Sequence, residues 1–358
     1  MADGISGFDI YAPVFTVSLK GKDFPRESIS SIEIDENLDS PAKFTVSLNE
    51  IFDINTQKFR WLDDPSISPG TEVGIIFGYA SKPGKQSLIK GRIKGINSGF
   101  VTTGPSTLTL EGYDYSHDMQ KKNEQKLSYK KMTYSEVVKE IATDNNLIPT
   151  KIDDTKIKQD DIQRKHNEKD YDFVKRLANQ LGFEFFVRGD GLYFREPKDK
   201  DKGNVTFKLH NNLLSFSPRM STANLTNEVR LHAYNKEKKE PITGTANINE
   251  IKSSVGIRDL DQIMAKSNSN NVQIRLEGKV VKDEKEAKAI AMAELKKRNQ
   301  TLIEGTLECI GDPQLRPGMT VNIEKVGERF SGVYYVKSAK HSINESGYKT
   351  TLEVRRCL

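Results

Sequence analysis

Long apolar runs are missing from this chain: nowhere do about 18 apolar residues follow one another, which excludes a membrane-spanning helix. Met1 to Ala12 has no basic segment leading into an apolar one, so a secretory signal is not expected. Cysteine is nearly absent. Cys309 and Cys357 lie far apart, with neither a CxxC pair nor a metal-ligand spacing, which fits synthesis in a reducing cytoplasm. Cys309 falls in an apolar strand pattern and reads as a buried thiol, while Cys357, next to last, reads as frayed. The single tryptophan, Trp61, names no site and is expected to pack on a sheet. Hydrophobic residues make up only 35%, low for a globular protein even with glycine added. Much of the surface must therefore be spent on solvent and contacts.

Charge of one sign is also lacking. The net charge of +5 comes from 55 basic and 50 acidic side chains that interleave, as in Arg195 to Lys202. A nucleic-acid binder needs a one-signed patch with aromatic residues between, so sequence-specific nucleic-acid binding is not expected. The nearest candidate, Gln120 to Lys131, reads as a solvated linker.

Catalytic patterns are absent as well. His117, His166, His210, His232 and His341 are dispersed, and none lies in H-x-x-x-H or H-E-x-x-H. There is no nucleophile elbow, phosphate loop or dinucleotide fingerprint. Asp153-Asp154 and Asp160-Asp161 lack the rhythm of a calcium loop. His341 beside a strand reads as a structural or surface imidazole. No catalytic, cofactor-binding or metal-binding residue is assigned, no cofactor is expected, and an enzyme is not expected. A carboxylate pair has no sequence signature, so a glycosidase is made less favoured without being excluded.

What is present is a repeat. Pro69-Gly70-Thr71-Glu72-Val73-Gly74-Ile75 and Pro317-Gly318-Met319-Thr320-Val321-Asn322-Ile323 share P-G-x-x-V-x-I. Each is followed by a segment with a central glycine, at Gly91 and Gly332, and then by a threonine-rich strand, Ser106 to Leu110 or Tyr348 to Val354. Proline presets φ and glycine accepts φ > 0, so a Pro-Gly turn makes a good strand entry. The fold class expected is mainly β with an α+β insertion: two related antiparallel sheets close to barrels, one at each end.

The first β unit is assigned to residues 1–118. Phe44 to Leu48 and Thr107 to Tyr113 alternate apolar and polar, and Gly74 to Tyr79 is apolar enough to lie centrally. Residues 119–200 form the insertion. Thr133-Tyr134-Ser135-Glu136 is a capping box, and a second helix through Tyr171, Val174, Leu177 and Leu181 stops at Gly182. The aromatic hairpin at 183–194 could be a stacking platform for bases or sugars; at this spacing it reads as hairpin core. The charged loop Lys198 to Asn204 marks a boundary. The second β unit, 201–358, holds a mobile excursion at about 236–271 and a helix at 284–299 that Asp283 caps.

These segments resemble, in order and spacing, the phage late control protein D family. The residues that carry the resemblance are Gly112-Tyr113-Asp114-Tyr115-Ser116, Tyr171-Asp172-Phe173-Val174-Lys175-Arg176-Leu177-Ala178 with Gly182 to Phe186, and Leu315-Arg316-Pro317-Gly318 followed by Phe330-Ser331-Gly332 and Gly347-Tyr348. Members are baseplate hubs of contractile tails and injection systems, and also form the N-terminal part of type VI secretion spike proteins. The resemblance implies two tandem tube-like β-barrels with a helix-containing domain between them. Three copies would make a homotrimer with pseudo-six-fold symmetry, joining a hexameric tail tube to a trimeric spike. The implied partners are the chain itself, a central spike protein, the tail tube or tube-initiator protein, and other baseplate proteins. Such a hub is assembled in the bacterial cytoplasm and ends in a phage tail or a released injection particle. Because the sequence stops at Leu358, soon after the second β unit, the spike is expected to be a separate polypeptide. The alternative is a tail-associated cell-envelope hydrolase or glycan-binding module using the hairpin at 183–194. Solvent exposure of Phe183, Phe185, Tyr193 and Phe194 would favour that alternative.

Overall fold

The computed structural model describes residues 13–80, 85–101, 104, 106–121, 126–203, 205–235, 239–251, 270–281 and 283–357. Two sets of six strands are built alike. The first set is β1 (Pro13–Leu19), β2 (Ile29–Asn37), β3 (Lys43–Glu50), β4 (Glu72–Tyr79), β5 (Gln86–Gly99) and β6 (Ser106–Asp114), side by side in the order β1-β4-β5-β6-β3-β2. The second is β7 (Val205–Lys208), β8 (Leu213–Met220), β9 (Ile303–Ile310), β10 (Thr320–Glu324), β11 (Gly332–Asn344) and β12 (Gly347–Arg356), in the order β7-β10-β11-β12-β9-β8. Adding six to each label turns one order into the other, so the sequence repeat is a repeat of topology.

The register repeats too. Ile93 faces Gly112 and Ile96 faces Leu110, with a bulge between; Val336 faces Val354 and Ala339 faces Leu352, with a bulge at the same place. The extra residue is a lysine in each case, Lys94 and Lys337. Both Pro-Gly turns have the expected backbone, with φ of 93° at Gly70 and 83° at Gly318. Gly70 N–H donates to Ile93 O at 2.7 Å, and Gly318 N–H donates to Val336 O at 2.9 Å. The units differ at their first strand: β1 runs antiparallel to β4, whereas the short β7 runs parallel to β10.

The alternation read from the sequence sets which face is buried. In β3, Phe44, Val46 and Leu48 are buried and the intervening Thr45 and Ser47 are not. Trp61 packs at 4.4 Å against Phe24 on the first core. Full burial of side chains such as Phe44 and Phe77 contributes roughly 1.5–3 kcal/mol each. The two units then join edge to edge. The second half of β11 leaves β10 and pairs with β2, from Ser338 opposite Asn37 to Ile343 opposite Ile32. All twelve strands, with a short one at Lys22–Asp23, thus form one curved sheet.

The segment between the units holds α1 (Tyr134–Asp144) and α2 (Asp170–Leu181) around a third hydrophobic core. The capping box forms: Glu136 N–H donates to Thr133 Oγ1 at 3.1 Å, and Thr133 N–H donates to Glu136 Oε2 at 2.8 Å. Gly182 ends α2 at φ 69°. The strands Glu184–Arg188 and Gly191–Arg195 form the expected hairpin, joined by Ile148–Ile152. Phe185 and Phe194 are buried, while Phe183 and Tyr193 are partly buried and pack on Phe194 and Phe186. These rings form a core rather than a platform around a groove. A second excursion, between β8 and β9, carries α3 (Glu284–Asn299), capped by Asp283 as read.

Three local expectations need correction. Part of the supposed excursion at 236–271 is ordered strand: Glu240–Asn247 pairs antiparallel with Thr226–Asn235, and Asn270–Val280 pairs parallel with it. Residues 236–238 and 252–269 lie outside the described residues. The expected linker at 120–131 ends in the strand Ser128–Met132, paired with Gln159–Gln163, and residues 122–125 lie outside the described residues. Cys357 is buried rather than frayed, because its N–H donates to Val333 O at 3.3 Å and its side chain packs with Leu38, Phe186 and Tyr335. Met1 to Ala12, Asn204 and Leu358 also lie outside the described residues.

Candidate functional site

Buried polar contacts converge on the seam between the two units. β2 and β11 run side by side there, and three sets of polar contacts surround their ladder. Arg316, just before the second Pro-Gly turn, grips both carboxylate oxygens of Glu36, with Nε to Oε2 at 2.8 Å. Two more of its N–H groups donate to Ser87 O at 2.9 Å and Leu88 O at 2.6 Å. One guanidinium thus ties β2 and β5 to the turn entering β10. Glu36 is 5% exposed, so this is a buried, fully partnered charge pair.

His341, on β11, is fully buried. Its Nε2 lies 2.9 Å from Leu315 O and its Nδ1 lies 2.8 Å from Tyr348 Oη, so the neutral ring donates to the carbonyl and accepts from the phenol. Burial pushes its pKa down to about 4, against the pull of Glu36 and with the push of Arg316. Of the two roles read from the sequence, the structural one holds. Tyr79 Oη donates to Gly311 O at 2.6 Å and, like Arg316, spans the two units.

The insertion is locked onto the same seam. Arg195 Nη2 donates to Gly318 O at 2.8 Å and lies 3.5 Å from Glu184. Glu184 accepts from Tyr335 on β11, and Arg188 donates to Pro317 O. Burial raises the Glu184 carboxyl and lowers Arg188 to about 10. Lys175 on α2 donates to Leu38 O at 2.6 Å, just past the end of β2. Asp114, in the Gly112 to Ser116 motif, accepts from Ala42 N–H and from Ser116 N–H and Oγ. Burial pushes it up to about 7 against those donors.

The face of the sheet away from the cores carries cross-strand ion pairs: Lys340–Glu33 at 2.7 Å, Lys349–Glu308 at 2.7 Å, Lys337–Glu304 at 3.0 Å and Lys43–Glu111 at 3.3 Å. These are half-exposed and contribute little stability each. Their effect is to give the face alternating charge. Among the described residues, no group of three or more His, Cys, Asp or Glu could hold a metal ion. Nor, among the described residues, is any helix long and apolar enough to cross a membrane.

Sequence reasoning singled out Leu315-Arg316-Pro317-Gly318 as a motif without seeing that Arg316 holds Glu36. It gave Glu184, Arg195 and Tyr335 no role, because their partners are far away in sequence. His341 provides a test of the seam. An unfolded histidine binds protons near pH 6.5, whereas the buried ring does not until about 4. Stability is therefore expected to fall as pH drops through that window, by about 3 kcal/mol. Asp114 acts with the opposite slope, since its raised pKa makes the fold lose stability as pH rises toward 7. Subtracting the pH profile of His341→Gln from that of the wild type isolates the histidine. Parallel urea midpoints for both proteins between pH 7 and 4 would show that the ring does not titrate as described.

The fold is shared with solved phage tail proteins. A 43 kDa tail protein of prophage MuSo2 from Shewanella oneidensis superposes with a TM-score of 0.75 at 14% identity, over 96% of this chain and 98% of that one. The tail protein from Neisseria meningitidis MC58 gives 0.71 at 14% identity, covering 97% of each. The E. coli c3393 protein, described as a type VI secretion component similar to T4 tail proteins gp27 and gp5, gives 0.60 at 10% identity, over 95% of this chain and 76% of that one. At these identities the likeness is one of fold. No curated protein sequence matches the chain. The family model described as the Alg8 N-terminal domain matches residues 11–345, and the chain belongs to that family.

Proposed function

We propose that this chain is a structural baseplate hub of a contractile phage tail or a tail-like injection system, of the late control protein D kind. Three copies form a ring in which six β units, two per chain, present pseudo-six-fold symmetry to a hexameric tail tube and three-fold symmetry to a trimeric spike. The observation that carries the reading is the twin six-strand order joined laterally by β2 and β11. Two like units fixed side by side in one sheet are what a three-copy, six-position ring requires. Each unit is a tube-like barrel wall, with residues 1–118, 119–200 and 201–358 as first unit, insertion and second unit. The mixed-charge face lines the channel. The seam's buried locks suit a part with no chemistry to perform and a load to carry between tube and spike. The partners are then the spike, the tube or its initiator and neighbouring baseplate proteins, with assembly in the bacterial cytoplasm. The buried aromatic hairpin leaves the hydrolase or glycan-binding alternative without its platform.

Light scattering on a sizing column tests the reading. The expected mass is three times the 40.4 kDa chain. A species that stays at one chain mass across micromolar concentrations, alone and with its spike, would overturn it.

A further inference from the structure

The two units are equivalent position by position, but they are not equally covered. Register carries Ile32, Ile34 and Glu36 of β2 onto Phe216, Pro218 and Met220 of β8, because Ile32 faces Val46, Phe216 faces Leu307, and Val46 and Leu307 face the matched Leu110 and Leu352. The matched bulges likewise carry Ala339, His341 and Ile343 of β11 onto Ile96, Ser98 and Phe100. In the seam the β2 and β11 residues are buried, none above 6% exposed. Their counterparts are not: Phe216, Pro218, Met220 and Ile96 are half-buried, Ser98 is exposed, and Phe100 is 60% exposed. Beyond Arg92, β5 has lost β4, and among the described residues no strand takes its place. Among the described residues β8 pairs with β9 alone, apart from a single bridge between Leu213 and Leu209.

We infer that the open edge of β5 in one copy receives β8 of the next copy, repeating between chains the seam that β11 and β2 make within one. This rests on the ring reading above and gives its interface. The register follows: Ile96 opposite Met220, Asn97 opposite Arg219, Ser98 opposite Pro218, Gly99 opposite Ser217 and Phe100 opposite Phe216.

Two features of this chain fit the occupant. Leu38 N–H donates to Lys337 O at 3.2 Å, so the even-numbered residues of β2 turn their N–H groups toward β11. The counterpart of Ile34 is Pro218, whose nitrogen therefore faces the open edge, where a strand tolerates proline. The seam between copies lacks that one ladder bond, and the same proline discourages indiscriminate edge pairing. The second feature lies at the end of β5. Phe100 continues into an exposed apolar patch, with Phe59 at 5.1 Å from Phe100 and Phe52 at 4.9 Å from Phe59. Ile51, Ile54 and Val101 of this patch are each more than half exposed. Phe216 lands on Phe100, and Leu214, 53% exposed, extends the contact over the patch. The Arg316–Glu36 lock has no counterpart: Ser68 and Met220 stand at those positions. The seam between copies is accordingly more apolar than the one within a chain.

The test is an engineered disulfide across the proposed register. Asn97 and Arg219 match Lys340 and Asp35, a pair with no ladder bonds between them, where Cα atoms come close enough for a disulfide. The native cysteines are buried. Mild oxidation of N97C/R219C is expected to yield covalent dimers and trimers, while either single variant stays at the chain mass on a non-reducing gel. In an independent arm, Phe100→Ser should raise the concentration at which the ring dissociates at least tenfold and leave the unfolding midpoint of the separated chain unchanged. A ring of normal mass, unchanged by Phe100→Ser, whose double variant cross-links no more than the singles would overturn this seam and leave the three-copy reading standing. Cross-linked species larger than three chains would keep the seam and remove the three-fold count. A chain that never associates removes both.

Discussion

Gly318→Val should lower the stability of the second unit by about 4 kcal/mol or more, and Gly70→Val, at the matched position, by clearly less. Both glycines sit at positive φ, 83° and 93°, where a β-branched residue carries roughly 1–3 kcal/mol of strain. Only Gly318 has a neighbour: a Cβ there would come within 2.7 Å of Arg195 Nη2, whereas nothing lies within 4 Å of one at Gly70. That nitrogen donates to Gly318 O and stands beside Glu184, so the valine must displace a buried cation from a buried carboxylate. Breaking such a pair from one side is worth roughly 3–5 kcal/mol. Urea unfolding of the two variants, read with alanine variants at the same positions, separates strain from displacement. Equal losses at both glycines would show that Arg195 yields freely and that the insertion is not locked to the turn.

The same pair of turns marks what the sequence could reveal. A Pro-Gly turn is local chemistry, so its repetition was legible, as were the Thr133 box, the Gly182 stop and the Asp283 cap. Each of these needs only residues within one or two turns of chain. The strand Glu240–Asn247 was not legible, because its inward face is Ile242, Gly244 and Ala246, too small to raise the apolar alternation. Gly244 is small for a reason: a Cβ there would lie 2.3 Å from the backbone of Ala287 on α3. The seam was the least legible. β2 and β11 are nearly a whole chain apart, and no local pattern encodes which strand edge meets which. Glu36, Glu184, Arg195 and Arg316 look like any of the chain's many charges until the fold buries them. The repeat supplied the idea of paired units and the family resemblance that of a ring, but the identical strand order and the unequal cover of matched edges came from the structure.

Arg316→Met should be among the most damaging single substitutions in the molecule, at roughly 3–5 kcal/mol, because it strands the Glu36 carboxylate in a site 5% exposed. Glu36→Met should do less harm, since Arg316 keeps Ser87 O and Leu88 O as acceptors. The double variant is expected to recover part of the loss, leaving a coupling energy of about 1–3 kcal/mol in the cycle. The cooperativity should change along with the midpoint. Arg316 joins β2 and β5 of the first unit to the turn that opens β10 of the second, so its removal loosens the tie between two cores that otherwise meet at the β2–β11 ladder and at Tyr79, Ile343 and Tyr348. Unfolding followed by Trp61 fluorescence, which reports on the first core, should then separate from unfolding followed by circular dichroism of the whole chain. The wild type, with the lock intact, should show coincident transitions. Coincident transitions in Arg316→Met as well would mean that the β2–β11 ladder alone welds the units. The ion pair would then serve to distinguish the seam within a chain from the seam between chains, where Met220 and Ser68 take its place.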